Sequence, residues 1–169
     1  MKKAACIIML YLLGLVPLQA VATPILRHIG GFQGVEVNAG IASIGQFGSL
    51  AWSYYFSSNW QIKVGVGGAW AKQRQQVYKA VFAQPVLVHT LLSNYRNVFL
   101  NVFGGTSLLY ESFKRRYNAN VGVVLGGELA VFVLHRIELL LGGGGRLFFL
   151  KSPYGYSDYF LGVGVRYSF

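Results

Sequence analysis

Acidic side chains are the scarcest feature of this 169-residue chain: five Asp and Glu stand against fifteen Lys and Arg, for a formal charge of +10. Charged residues make up only 12 % of the sequence. A soluble domain carries about twice that share, so much of this surface is expected to face something other than water. Cysteine is nearly absent. Cys6 is the single one and it falls in a segment expected to be removed, which excludes disulfides, thiol catalysis and cysteine metal sites from the mature chain. His28, His89 and His135 are far apart and lack ligand spacing, so no metal site is expected. No other cofactor is expected either. Beyond residue 22 there is no stretch of ~18 unbroken apolar residues, which excludes a membrane-spanning helix.

What the chain does have begins with a secretory pattern. Lys2 and Lys3 precede the apolar run Ala4–Leu18, and Ala20-Val21-Ala22 offers small residues at the cleavage spacing. The run is shorter than a spanning helix and is interrupted by Pro17, so a cleaved signal is expected rather than an anchor. Cys6 lies inside the apolar run rather than after it, which argues against a lipoprotein. The expected organisation is a signal peptide over 1–22, an N-terminal periplasmic segment over 23–33 and one β-barrel over 34–169. A single domain fits this length.

The mature part is built from alternation with period two in segments of about ten residues, the pattern of transmembrane barrel strands. Eight are predicted: Val35–Ala42, Phe47–Phe56, Trp60–Ala71, Tyr78–Leu92, Val98–Phe113, Ala119–Leu134, Ile137–Phe149 and Tyr159–Phe169. In the last, Tyr159, Leu161, Val163, Val165, Tyr167 and Phe169 oppose Gly162, Gly164, Arg166 and Ser168. The minor face throughout is Gly, Ala and Ser with isolated charges. That is too small and too charged for the core of a soluble sandwich, but suits a narrow lumen. The fold class is therefore all-β: a closed, antiparallel, up-and-down transmembrane barrel of about eight strands, located in a bacterial outer membrane.

Two positions strain the pattern. Pro85 lacks the amide a central strand uses, which predicts a bulge or local break. Gly142 to Gly145 predicts a bulge or a close backbone approach. The connections at Ser57-Ser58-Asn59, Ser93–Asn97 and His135-Arg136 read as tight periplasmic turns. Lys72–Gln76, Lys114–Asn118 and Lys151–Asp158 read as longer or more basic outer loops, while Ile44-Gly45-Gln46 is short.

Parity places Glu36, Lys63, Glu128, Glu138, Arg146 and Arg166 in the lumen. They are expected to pair as a structural charge network rather than to form an ion path, since an eight-stranded barrel is filled by side chains. Leu161, Val163, Val165, Tyr167 and Phe169 form the kind of C-terminal strand that the barrel-assembly machinery can add to a sheet edge. Lys114, Arg115 and Arg116 form an extracellular basic cluster, expected to face lipopolysaccharide and other outer-membrane lipid rather than nucleic acid. A barrel lipid enzyme needs His, acid and Ser together at the outer rim. Ser157 and Asp158 are expected there without a histidine, and no enzymatic activity is expected.

The segments Gly31–Gly40 (GFQGVEVNAG), Tyr55–Gly67 (YFSSNWQIKVGVG), Asn97–Phe113 (NVFLNVFGGTSLLYESF), Tyr117–Glu128 (YNANVGVVLGGE) and Leu161–Phe169 (LGVGVRYSF) follow one another as in a known family. In that order the mature chain resembles the TraO family, conjugative-transposon transfer proteins of Bacteroides-type bacteria. The resemblance implies a structural role in conjugation and contacts with other transfer proteins. It carries over no catalytic or binding residue. The rival expectation is a free-standing small outer-membrane protein, membrane-stabilising or adhesin-like.

Overall fold

The computed structural model describes residues 30–43, 45–73, 76–93, 97–113, 116–152 and 155–169. The predicted signal peptide and most of the 23–33 segment lie outside them. Eight strands follow one another: β1 Gln33–Ala42, β2 Gly45–Tyr55, β3 Trp60–Gln73, β4 Gln76–Ser93, β5 Val98–Phe113, β6 Arg116–Leu134, β7 Ile137–Ser152 and β8 Gly155–Ser168. Each pairs antiparallel with the next, and β8 closes on β1. The seam runs to the last residue, where Gln33 and Phe169 exchange N–H···O bonds of 3.1 and 2.9 Å. Closure removes the free edges that an open sheet would expose.

The alternation turns the barrel inside out relative to a soluble one. Leu125 and Val163 on the outer face are 64 % and 61 % exposed, whereas Arg166 and Glu138 in the lumen are fully buried. Aromatic belts flank this apolar band. Trp52, Trp60 and Tyr167 lie toward the end where β1 starts and β8 finishes (the near end), and Trp70, Tyr110 and Tyr159 toward the other (the far end). On β3, Trp60 and Trp70 are separated by ~33 Å of strand, or ~25 Å along the axis at a tilt of ~40°, which matches the hydrocarbon band.

The far-end loops are shorter than the sequence suggested. Pairing continues through Lys72↔Val77, Gln73↔Gln76, Phe113↔Arg116 and Ser152↔Gly155. Residues that read as loop by polarity are strand, because a hairpin partner satisfies their backbone above the apolar band. β4 and β6 reach 18 and 19 residues, while β1 has 10, so the wall is tallest from β4 to β6. Gly45 opens β2 at φ +137°, and a Cβ there would fall on the Trp70 carbonyl oxygen. Only glycine meets both conditions.

The Gly142–Gly145 run carries no bulge. Its four residues pair without a break to Glu128–Leu125 on one side and Gly162–Tyr159 on the other. The register shift in that hairpin falls between Leu147 and Ser152 instead. Glycine here supplies room rather than a bend: a Cβ on Gly144 would strike the Leu125 carbonyl. At Pro85 the β3 ladder is continuous, whereas on the β5 side no partners are assigned to Gln84 and Pro85, and the register is unchanged across the gap. The actual shift in that hairpin lies between Thr90 and Leu92.

The lumen is more aromatic than its Gly, Ala and Ser suggest. Phe47, Phe82 and Phe148 form one buried cluster with Tyr78 and Leu109, and Phe99 and Phe132 form another with Ala130 and Leu140. Phe47 and Phe148 lie where the strands beside them have glycine. A Cβ on Gly162 would come within 2.8 Å of the Phe47 ring, and one on Gly122 within 2.9 Å of the Phe148 ring. Rings against glycines fill a narrow barrel without widening it.

Candidate functional site

The residues with chemistry converge in the lumen, in two layers. The near-end layer centres on Arg166 of β8. Glu36 and Glu138 are its register partners on the flanking strands β1 and β7. Strand closure therefore sets both carboxylates beside the guanidinium before any side chain chooses a rotamer. Arg166 donates from Nε and Nη2 to Glu36 Oε2 at 3.0 and 2.8 Å, and from Nη2 to Glu128 Oε1 at 2.9 Å. Its Nη1 donates to Glu138 Oε2 at 2.9 Å and to the Tyr55 hydroxyl at 2.8 Å.

Lys63 completes the layer. Its Nζ lies 2.6 Å from Glu128 Oε2 and 3.1 Å from Glu36 Oε1. Glu36, Lys63, Glu128 and Arg166 thus form a closed ring of alternating charge, with Glu138 attached to Arg166. Remaining acceptor positions are also used. Asn38 donates to Glu36 at 3.0 Å, Asn101 to Glu128 at 3.3 Å and Ser168 to Glu138 at 3.1 Å. Thr90 in turn donates to Asn101 at 2.9 Å. Buried charges persist when paired and hydrogen-bonded in this way.

Arg146 does not join that ring. It belongs to the far-end layer, where Nη1 meets Asp158 Oδ2 at 2.9 Å across the β7–β8 ladder. The guanidinium lies over the Phe82 and Phe160 rings, 4.6 and 4.8 Å from their centroids, a cation–π arrangement. Ser43 donates to the other Asp158 oxygen. Asp158 is thus not at the outer rim as its loop-like neighbourhood suggested. β8 begins at Gly155, and the inward parity of Arg166 and Phe160 runs back to it, while Ser157 points outward. Extending the alternation of the last segment by a few residues was the signal available.

Glu111 was also missed, although it shares inward parity with Asn101 on β5. It accepts hydrogen bonds from Tyr78 and Ser152 at 2.9 Å each and from Asn118 at 3.0 Å. Between the layers lies a cavity of about 90 Å³, bordered by Glu36, Asn38, Lys63, Gln84 and Arg146. That is room for a few waters.

Of the other candidates, Leu161, Val163, Val165, Tyr167 and Phe169 all face outward along β8. Lys114 and Arg115 lie outside the described residues, and Arg116 opens β6 opposite Phe113. His89 packs against Trp60 with ring centroids 4.3 Å apart, toward the near end. His135 is exposed in the turn at that same end, opposite to Ser157 and Asp158. Among the described residues no three of His, Cys, Asp and Glu converge to hold a metal ion; Glu36, Glu128, Glu138 and Asp158 meet cations instead.

The chain matches no protein-family profile and no curated protein sequence. Its fold matches solved structures. The N-terminal β-barrel domain of Pseudomonas aeruginosa OprF superposes with a TM-score of 0.68 at 10 % identity, over 83 % of this chain and 98 % of that one. Neisserial surface protein A gives 0.65 at 13 % identity, over 82 % and 96 %. The outer membrane enzyme PagL gives 0.53 at 9 % identity, over 79 % and 98 %. The chain has the fold of an outer-membrane β-barrel. Identity this low shows the fold alone, and the fold is one that an enzyme shares.

Proposed function

We propose that this chain is a non-enzymatic barrel of the bacterial outer membrane that serves as a structural component of a conjugative DNA-transfer apparatus. The observation that carries the structural reading is the position of Arg166, tied at once to β1, β2, β6 and β7 through Glu36, Tyr55, Glu128 and Glu138. A lumen braced wall to wall holds its shape and leaves no passage for DNA. The apolar outer band and its two aromatic belts suit a bilayer, and the start of β1 and the finish of β8 then lie on the periplasmic side. Such a barrel anchors an assembly rather than conducting its cargo.

The conjugation role is supported by the TraO-like segments, which fall in order on β1, the β2–β3 hairpin, β5, β6 and β8. A second reading, a free-standing membrane-stabilising barrel, is favoured by the far-end hairpins, whose strand bounds leave only short connections. Cell fractionation with mild-detergent pull-down and gel mobility with and without heating separates the two. A heat-shifted outer-membrane band that brings down transfer-apparatus subunits supports the first reading. One that purifies alone moves the assignment to the second, and a soluble protein without a shift removes the membrane reading.

A further inference from the structure

The five acidic side chains of this sequence are Glu36, Glu111, Glu128, Glu138 and Asp158, and all five are buried in the lumen. The outer surface therefore carries no side-chain carboxylate, and its exposed cations have no acidic side chain to pair with. Among the described residues these cations concentrate at the far end, where Lys72, Lys79 and Lys151 are exposed. A surface of one sign at one end calls for a counter-charge from outside the chain.

Next to Lys79 and Lys151 the outer wall is furrowed. The floor is small side chains, Ala83 on β4 and Ala119 on β6, and the flanks include Leu108, Val121 and Phe149. Tyr110 and Tyr117 stack at the top, centroids 6.0 Å apart and rings 14° from parallel. Lys79 and Tyr117 both pair with Ser112, so the lysine and the tyrosines share one corner. On the far flank, Asn120 donates to the Leu150 carbonyl at 2.6 Å and accepts from the Leu150 amide at 3.1 Å. These bonds hold the Phe149–Lys151 stretch against β6 beyond the last ladder pair, Gly122↔Phe148.

We propose that this face binds one phosphorylated saccharolipid of the outer leaflet, an acyl chain in the furrow and the disaccharide headgroup across its top. Lys79 on β4 and Lys151 on β7 are three strand spacings apart, on the order of 14 Å. Two phosphates on one disaccharide engage both lysines without drawing either side chain across the intervening strands. The tyrosine pair offers a flat apolar face to a sugar ring. The site rests on the membrane reading above, and its failure is distinguishable from the failure of that reading.

The test uses the full mature chain folded in lipid-free detergent, titrated with diphosphoryl lipid A, its dephosphorylated form or phosphatidylglycerol, and read by native mass spectrometry. Diphosphoryl lipid A is expected to bind one to one and more tightly than either competitor. Lys79→Gln and Lys151→Gln are each expected to weaken it about fivefold. Ala119→Trp, which fills the furrow, should weaken it as well, and Arg136→Gln at the opposite end should leave it unchanged. Heat-modifiability reports that each variant is folded. Equal affinity for phosphatidylglycerol or for the dephosphorylated form overturns the proposal, as does binding indifferent to the two lysines and Ala119. A chain that inserts into phosphatidylcholine vesicles yet ignores lipid A loses the site and keeps the barrel.

Discussion

Arg166 and Glu36 join the last strand to the first: two guanidinium nitrogens donate to one carboxylate oxygen at 3.0 and 2.8 Å, across the seam that closes the barrel. The contact is possible only when β1 and β8 are already paired. It therefore adds stability to the closed form alone.

Removing the guanidinium should be severe. Arg166→Met leaves Glu36, Glu128 and Glu138 buried around Lys63, and breaking a buried network from one side costs about 3–5 kcal/mol. Urea unfolding in lipid vesicles should show a loss of that size. An unchanged midpoint would mean that the lumen is wet enough to solvate the acids.

The two acids beside Arg166 should not be equivalent. Glu36 contacts both Arg166 and Lys63, whereas Glu138 contacts Arg166 and Ser168. Glu36→Gln should destabilise the barrel more than Glu138→Gln, by about 1–2 kcal/mol in the same assay, given the extra charged contact. The reverse order would contradict the ring arrangement.

Inward and outward glycines should respond differently. A Cβ on Gly126 would strike the Phe103 ring and the Gly143 carbonyl, whereas one on Gly127 meets nothing nearer than 3.5 Å. Gly126→Val is expected to cost about 3 kcal/mol or more through overpacking, and Gly127→Ala under ~1 kcal/mol. Heat-modifiability across a urea series measures both.

Val163 lies on the outer face midway between Tyr159 and Tyr167. Val163→Arg should cost about 2–4 kcal/mol in a bilayer, as expected for a cation at the midplane. A cost near zero in vesicles would remove the membrane reading of this face.

Phe169 should matter to assembly more than to stability. Its side chain is half exposed and stacks on Tyr167, centroids 6.3 Å apart. Phe169→Ala should refold in detergent with a near-normal midpoint yet accumulate less in the outer membrane of cells. Equal accumulation would reduce the residue to a member of the aromatic belt.

Much of this protein was legible in its sequence because strand periodicity is local. Side-chain direction alternates along one strand whatever the neighbours do, so Trp60, Ile62 and Val64 were assignable to the outer face and Lys63 to the lumen from spacing alone. The same parity put Glu36, Glu138 and Arg166 in the lumen.

Other features depended on which strand lies opposite. Polarity marked Lys72–Gln76 and Lys151–Asp158 as loops, but the strands continue through most of both, and this carried Asp158 inward to Arg146. The Gly142–Gly145 run left a bulge and a close backbone approach open, and the carbonyls of the flanking strands, such as that of Leu125 beside Gly144, make it the second. Nor did spacing divide the charges. Arg146 and Arg166 share a parity, and only the register between strands sets one against Asp158 and the other amid three glutamates. The sequence by itself determined the strands, their faces and the inside-out plan, because these follow from local alternation. The tertiary structure decided strand length, ring-on-glycine packing and the choice of ion-pair partners, because each depends on atoms contributed by a different strand.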